Sequence, residues 1–228
     1  MKTVVFILVS FVTMSCLLAE ESPAAPIIGK LGADNGQCKM CHPEPTLLGG
    51  ITETKWLELP ARKKAFTKNY SITTQNGKRL KFDELCDRPV ALTFLYTRCD
   101  NPNKCPLAAA TFAKLTQEVR NAGIDKKVRL VVMTYDPEFD SPDVLARYAE
   151  EKKIECNDNV LLLQPDPATK KDLFEELNVT VNYNANRVNI HGLQIILLDK
   201  QARYVRSYHT LIWNNAKVVD DLKKLVSE

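Results

Sequence analysis

The stretch PVALTFLYTRCDNPNKCPLAAATFAKL, residues 89–115, determines the first strand-to-helix unit of the chain. Residues 89–97 are apolar, β-branched or aromatic almost without interruption, which is typical of a strand buried on both faces. Pro106 suits the first turn of a helix, and the residues after it carry one apolar face. Cys99 follows the strand and Cys105 precedes the helix, at the edge where reactive groups of open α/β sheets collect.

The pattern further along the chain alternates strands with helices and then ends in a hairpin and a helix. Buried strands are predicted at 127–136 and 159–164, followed by helices with Ser141 and Asp166 as N-caps. Hairpins are predicted at 69–82, with a turn at Asn76-Gly77, and at 193–208; a closing helix follows at 214–228. Strands joined by helices pair in parallel, whereas hairpins add antiparallel strands. The sequence therefore predicts an α/β, thioredoxin-like fold with a mixed central sheet flanked by helices and a short N-terminal appendage.

The N-terminal residues have the pattern of an export signal. A short apolar run, 4–12, follows Lys2 and precedes small residues. The run is too short for a comfortable membrane span, so we expect a periplasmic or otherwise exported protein. An uncleaved signal, or a lipid on Cys16, is the alternative that would anchor it to a membrane. A signal peptide, an appendage or linker, and the thioredoxin-like domain are predicted at 1–19, 20–66 and 67–228.

The charge balance and the cysteines limit the classes of function. The formal net charge is +3, with 31 Lys and Arg against 28 Asp and Glu, so we expect no nucleic-acid partner. Outside the cytoplasm, cysteines serve as disulfides, metal ligands or redox groups. Six cysteines follow the predicted signal: the close pairs Cys38/Cys41 and Cys99/Cys105, and the single residues Cys86 and Cys156. We expect the two single residues to be unreactive core or loop thiols, or one disulfide.

The position of the Cys99/Cys105 pair favours chemistry over a purely structural role. The N-terminus of a helix carries partial positive charge, which stabilises a thiolate at Cys105. A thiolate is both the nucleophile of disulfide exchange and a soft ligand for Cu(I). A plain stabilising disulfide is the alternative.

A second motif, Cys38-Lys39-Met40-Cys41-His42, is the C-x-x-C-H signature of covalent haem attachment. Two thioether bonds from Cys38 and Cys41 would hold a haem c, and His42 would be an axial ligand of the iron. The sequence offers no obvious second axial ligand. A simple disulfide, or a soft-metal site made of Cys38, Cys41 and His42, is the alternative interpretation.

Three segments together resemble the Sco/SenC family over about residues 67–226. They are ALTFLYTRCDNPNKCPLAAATFAKL (91–115), TYDPEFDSPDVLARYAEE (134–151) and VNIHGLQIILLD (188–199). The family usually has three residues between its two cysteines, whereas this chain has five, Asp100 to Lys104, which lengthens the loop. Asp136 and Asp140 match the family's acidic loop, but Asp is also a common turn and cap residue, so we assign them no catalytic role.

The resemblance implies a thioredoxin-like fold and a copper site with Cys99, Cys105 and His191 as ligands. It implies copper delivery to, or redox maturation of, a cuproenzyme such as an oxidase subunit. A thiol–disulfide oxidoreductase that cycles Cys99 and Cys105 with a redox partner protein is the alternative, and the haem motif adds a haem-linked electron-transfer protein. The alternative for His191 is a hydrogen-bonded histidine at the start of a strand.

Overall fold

The computed structural model describes residues 53–185, 187–210 and 212–228. The predicted signal with Cys16 and the haem motif Cys38, Cys41 and His42 lie outside the described residues. None of the helices in the described part of the chain has the length and apolar character needed to cross a bilayer.

Three parallel strands form the middle of the sheet, as the buried apolar runs predict. They are β3 (Val90–Leu95), β4 (Arg129–Thr134) and β5 (Val160–Pro165). In the register of the first two, Val90 lies opposite Arg129 and Leu95 opposite Thr134. Every residue of β3 is buried. This agrees with its nearly uninterrupted run of apolar and β-branched residues, which is typical of a strand covered on both faces.

Antiparallel strands extend the sheet on both sides of these three. The hairpin of β1 (Ser71–Thr74) and β2 (Arg79–Lys81) turns at Gly77, whose φ of +76° is the left-handed conformation that glycine adopts readily. On the other side β8 (Ile195–Leu198) pairs with β3, and β9 (Tyr204–Tyr208) forms the edge. The strand order is β2-β1-β5-β4-β3-β8-β9, and the predicted mixed sheet is confirmed.

Helices cover both faces of the sheet. The helices α1 (Cys105–Asn121), α2 (Pro142–Glu151) and α4 (Asn215–Ser227) pack on one face, with Ala91 and Leu95 of β3. The helix α3 (Lys170–Glu176) and a 3-10 helix (Phe82–Asp87) pack on the other, with Leu92 and Phe94.

The predicted helix caps are confirmed for α2 and wrong for α3. The Ser141 side chain accepts a hydrogen bond from the Val144 amide, as an N-cap does. The cap position of α3 is Thr169. Asp166 instead begins a turn, because its carbonyl accepts the Thr169 N–H at 3.0 Å and its side chain accepts the Ala168 N–H at 2.9 Å.

The two single cysteines lie on opposite faces of the sheet. Cys86 belongs to the apolar layer that contains Phe94, whereas Cys156 packs against the layer that contains Leu95. Both are free thiols, so a single disulfide between them is wrong. The interpretation as core or loop thiols agrees with their positions.

Residues 53–66 pack along the edge strand β9, upstream of the predicted start of the domain. Glu53 forms an antiparallel bridge with Tyr208. The guanidinium of Arg62 is buried and reaches Glu228, at the end of the chain, at 2.5 Å. The packed region therefore extends to Glu53.

A second, two-stranded sheet was not predicted. It consists of β6 (Val181–Asn184) and β7 (Arg187–His191), which pair antiparallel with Val181 opposite His191. Because His191 is the last residue of β7, this hairpin is the element that positions it.

Candidate metal centre

The loop after β3 brings Cys99 back towards the start of α1. Cys99 lies four residues beyond the end of β3, and Cys105 is the first residue of α1. Between them the Asn101 carbonyl accepts the Lys104 N–H at 3.1 Å, and the Asn101 side chain accepts the Asn103 N–H at 3.0 Å. The five intervening residues are thus taken up by a turn, and the longer loop does not carry the two cysteines apart.

Two buried carboxylates from the loop between β4 and α2 hold the residues just before Cys99. Asp140, which is fully buried, accepts the backbone N–H of Thr97 at 3.1 Å and also the hydroxyls of Thr97 and Thr134. Asp136 accepts the Nε–H of Arg98 at 3.0 Å and an Nη2–H at 2.5 Å. The acidic loop is therefore a support for the cysteine loop, which turn and cap preferences alone did not predict.

Packing on two tyrosines orients His191. The imidazole lies edge-on to the ring of Tyr96, at a centroid distance of 5.2 Å, and tilted against Tyr135 at 5.4 Å. The hydroxyl of Tyr135 donates to the carbonyl of Gly192 at 2.7 Å, and the Gly192 N–H donates to the carbonyl of Thr180 at 2.9 Å. These bonds fix the chain that leaves β7 and so fix the direction of the ring.

The three residues of the predicted copper site lie together. One ligand atom from each of Cys99, Cys105 and His191 lies within 4.8 Å of the other two. The Sγ of Cys105 is 3.3 Å from Nε2 of His191. The three residues are 8%, 0% and 4% exposed, with Cys99 on the solvent side. The geometry therefore offers one small, mostly dry site with three donors.

One nitrogen of His191 has no protein partner in the described part of the chain. Nδ1 is buried and makes no hydrogen bond there. Ligating histidines usually donate their second N–H to a carbonyl or carboxylate, which sets the direction of the ring. Here the tyrosine rings and the backbone of β7 take over that orienting role.

The pKa values of the two cysteines of the site are shifted in opposite directions. The hydrogen bond from the Cys105 thiol and the neighbouring His191 imidazole lower the pKa of Cys99 well below that of a free thiol. Burial raises the pKa of Cys105 well above it, and the charge on Cys99 adds to that shift. These opposite shifts favour the thiolate at Cys99 and the thiol at Cys105 in the metal-free protein.

This donor set suits soft chemistry. Thiolate sulfur and imidazole nitrogen are ligands for copper in either oxidation state, whereas Mg²⁺ and Ca²⁺ prefer oxygen. A thiolate beside a thiol is equally the arrangement that exchanges disulfides. The two cysteines form no disulfide in this structure.

Comparison with known proteins agrees with these observations. A family model described as SCO1/SenC matches residues 59–227. A SCO1/SenC family lipoprotein from Bacillus anthracis is 24% identical, with a TM-score of 0.64 over 75% of this chain and 100% of that one. A comparison with curated proteins gave no match.

Two further solved structures share the fold. Bradyrhizobium japonicum ScoI with copper bound is 22% identical, with a TM-score of 0.57 over 70% of this chain and 99% of that one. BsSco, a member of the Sco family of cytochrome c oxidase assembly proteins in which a disulfide switch has been identified, is 19% identical, with a TM-score of 0.62 over 73% and 96%. The family model covers most of the chain, and the chain belongs to the SCO1/SenC family.

Proposed function

We propose that this chain binds copper through Cys99, Cys105 and His191 and delivers it to a cuproenzyme, with an oxidase subunit as the partner. The observation that carries the proposal is that ligand atoms of these three residues lie within 4.8 Å of one another. Copper-bound ScoI, which shares the fold, supports it, as does the description of BsSco as a cytochrome c oxidase assembly protein.

The site is suited to a copper ion that is bound and later released to a partner. Two ligands come from one loop and helix start, and the third comes from a separate hairpin, so a small movement of either element opens the set. Cys99 is the most exposed of the three ligands and the one with the lowered pKa. A partner thiolate or imidazole therefore meets Cys99 first and replaces the ligands in sequence.

Copper stoichiometry tests the proposal. The reduced protein, loaded with Cu(I) and desalted, should retain one copper per chain by elemental analysis. Cys99→Ser, Cys105→Ser and His191→Ala should each lose most of it, because two donors hold a soft metal poorly. Cys156→Ser and His209→Ala are matched controls and should retain it. If His191→Ala retained as much copper as the wild-type protein, His191 would not be a copper ligand.

Thiol–disulfide exchange is the second candidate, favoured by the lowered pKa of Cys99 beside a second thiol. The Cys99 thiolate would attack a disulfide of the redox partner protein, form a mixed disulfide and release one partner thiolate. Cys105, whose proton passes to the partner thiolate released first, would then attack the Cys99 sulfur, close the Cys99–Cys105 disulfide and release the second partner thiolate. Two electrons pass to the partner. His191→Ala should leave this activity largely intact while it abolishes copper binding, which separates the two functions.

For the segment outside the described residues we propose a covalent haem c on Cys38 and Cys41, with His42 as an axial ligand, in an exported protein. The support is the C-x-x-C-H motif and the signal-like N-terminus. Anchoring, by an uncleaved signal or by a lipid on Cys16, has the Bacillus anthracis lipoprotein as its support. A pyridine haemochrome spectrum, taken on protein made in a host with cytochrome c maturation, tests the haem. A spectrum without covalent haem would refute it.

A further inference from the structure

A cavity of about 470 Å³ lies between the segment that begins at Glu53, the end of α3 and the strands β8 and β9. Its wall includes the apolar side chains of Leu57, Ala65, Leu177 and Ile196. None of the three proposed copper ligands lines it, so the cavity is separate from the copper site. Pockets of this volume with a mostly apolar wall are typical of sites for small organic ligands.

The outer wall of the cavity is held in place by backbone hydrogen bonds. It is formed by residues 53–66, which run along the edge strand β9. The Thr54 N–H donates to the carbonyl of Ser207 at 2.8 Å, and the Leu57 N–H donates to the carbonyl of Val205 at 3.0 Å. The cavity is therefore part of the folded protein before any ligand binds, as is usual for ligand sites.

Two adjacent lysines place positive charge at the cavity. Lys63 and Lys64 line it, both are exposed, and neither forms an ion pair with another described residue. The Lys63 carbonyl accepts the Tyr204 N–H at 2.9 Å, and Lys64 forms an antiparallel bridge with Arg203. The two ammonium groups are therefore carried by backbone that is anchored to the sheet.

The other ionisable groups of the wall leave this positive charge in excess. Glu176 is the one acidic residue of the wall, and its carboxylate already accepts hydrogen bonds from the hydroxyls of Thr67 and Tyr70. Burial lowers the pKa of His209, so its imidazole is neutral at pH 7. Two lysines against one glutamate favour a ligand with a negative charge.

Ser207 and His209, both on the wall, add a hydrogen-bond donor to this charge. Nε2 of His209 lies 2.6 Å from the Ser207 hydroxyl, which also accepts a hydrogen bond from the Tyr204 hydroxyl at 2.6 Å. A neutral imidazole has one N–H and a serine has one O–H, and the contact between them uses only one of these hydrogens. If Ser207 donates, the Nδ1–H of His209 remains; if His209 donates, the Ser207 O–H remains. In either tautomer one donor of the pair has no acceptor among the described residues.

We propose that this cavity binds a fatty acid, with its acyl chain against the apolar wall and its carboxylate beside Lys63, Lys64 and the Ser207–His209 pair. An acyl chain needs only apolar contact, which Leu57, Leu177 and Ile196 supply. A carboxylate accepts several hydrogen bonds and is attracted to ammonium groups. The proposal is independent of copper binding and of haem attachment.

Equilibrium dialysis of the full chain with radiolabelled myristate tests the proposal. The wild-type protein should bind myristate saturably, with one molecule per chain. Tetradecyltrimethylammonium, which has a chain of the same length and a cationic head group, should bind about tenfold more weakly or less, because the wall has excess positive charge. Both ligands are used below the concentrations at which they form micelles. A wild-type protein without saturable myristate binding, or with equal affinity for both ligands, would overturn the proposal.

A pair of charge variants tests the role of the two lysines. Lys63→Gln/Lys64→Gln should lower the affinity for myristate about tenfold, because two exposed charges beside the carboxylate are removed. Lys126→Gln/Lys127→Gln changes another adjacent pair of exposed lysines, which does not line the cavity, and should leave the affinity unchanged. An equal loss of affinity in both double variants would overturn the assignment of the carboxylate to Lys63 and Lys64.

A pair of tryptophan variants tests the position of the acyl chain. Ala61 is exposed and lines the cavity, so Ala61→Trp should occupy part of it and abolish saturable binding. Ala168→Trp, at an exposed alanine that does not line the cavity, should bind myristate as the wild-type protein does. Retention of copper at the other site verifies that each variant is folded. Full myristate affinity in Ala61→Trp would place the ligand elsewhere and overturn the proposal.

Vesicles distinguish a fatty-acid site from a membrane-binding surface. The wild-type protein should not sediment with phosphatidylglycerol vesicles through Lys63 and Lys64. If it sediments with them, loses this in Lys63→Gln/Lys64→Gln and binds no stoichiometric myristate, the two lysines contact a membrane surface and the proposal is overturned.

Discussion

The described part of the chain places two pairs of cysteines in contrasting surroundings. The rim pair, Cys99 and Cys105, lies where β3 ends and α1 begins, beside His191. The remote pair, Cys86 and Cys156, lies on opposite faces of the sheet. Burial raises the pKa of Cys86 to about 12 and that of Cys156 to about 11, whereas the pKa of Cys99 is lowered.

The difference shows that neighbours, and not burial alone, determine what a thiol can do. Cys99 and Cys86 are both buried, at 8% and 4% exposure. Cys99 has a thiol and an imidazole beside it, which stabilise its thiolate. For Cys86 the largest effect on the pKa is the loss of water, and within the described residues its thiol makes one long contact, of 4.0 Å, to the Phe82 carbonyl. One cysteine is poised for chemistry, and the other is a small apolar side chain.

The pH profile of alkylation is the largest contrast that we expect. In metal-free reduced protein, the alkylation rate of Cys99 should be nearly constant from about pH 8 to about pH 5, because its thiolate persists throughout. The rate at Cys156 should fall about tenfold per pH unit, or about 10³-fold in all. Peptide mapping by mass spectrometry measures both rates in one sample. A parallel fall at both sites would show that Cys99 is an ordinary thiol.

Asp140→Asn should lower the copper affinity of the rim pair without changing any of the three proposed copper ligands. The amide cannot accept all three hydrogen bonds that Asp140 receives from Thr97 and Thr134, so the cysteine loop loses its support. We expect copper affinity to fall about 10- to 100-fold, as for other outer-shell partners of metal ligands, and stability to fall by about 1–3 kcal/mol. Competition with a Cu(I) chelator and urea unfolding measure the two effects.

Ser141→Ala is the matched control for that variant, because Ser141 is the next residue along the chain. It removes the N-cap hydrogen bond of α2 and should cost about 1 kcal/mol of stability. Copper affinity should not change, since Ser141 makes no contact with the cysteine loop among the hydrogen bonds of the described chain. An equal loss of copper affinity in both variants would mean that Asp140 acts through general stability.

The sheet and its helices were accessible from the sequence because their signals are local. The apolar run of β3, Pro106 in the first turn of α1 and the Ser141 cap of α2 lie within or next to the elements they define. The start of α3 was misplaced because Asp166 and Thr169 are both good cap residues, and the backbone between them selects Thr169.

The position of His191 was accessible only through resemblance. Residues 181–191 alternate weakly and are rich in Asn, so they carry little of the apolar periodicity that indicates a strand. Tertiary contacts define the hairpin instead: the hydroxyl of Tyr183 donates to the carbonyl of Tyr135 at 2.6 Å. The support that Asp136 and Asp140 give to the cysteine loop is likewise long-range and has no local signal.

The stability of the folded protein at alkaline pH should distinguish Cys86, whose pKa is raised by burial, from Cys99, whose pKa is lowered. Above the ordinary thiol pKa of about 9 the unfolded chain releases this proton, whereas the folded chain keeps it up to about pH 12. The unfolded state then binds fewer protons, so stability falls as the pH rises, by about 2 kcal/mol between about pH 9 and about pH 10.5. Cys86→Ala should reduce the fall in stability by that amount in urea unfolding at the two pH values, and the fall that is left comes from the other thiols with raised pKa values, Cys105 and Cys156. Cys99→Ala should leave the slope in place, because the Cys99 thiol is already ionised in the folded protein.

Asn101→Ala should cause the smallest loss of copper affinity at the rim pair. It tests whether the turn within the cysteine loop or the buried Asp140 carboxylate contributes more to holding Cys99 near Cys105. The substitution removes the side-chain bond to the Asn103 N–H but leaves the Asn101 carbonyl, which accepts the Lys104 N–H and lies 3.9 Å from the sulfur of Cys99. A single exposed turn bond is worth about 0.5–1.5 kcal/mol, so copper affinity should fall less than tenfold in the same chelator competition. A loss as large as that of Asp140→Asn would reverse the order of the supports. The turn within the loop, and not the buried carboxylate beneath it, would then hold Cys99 near Cys105.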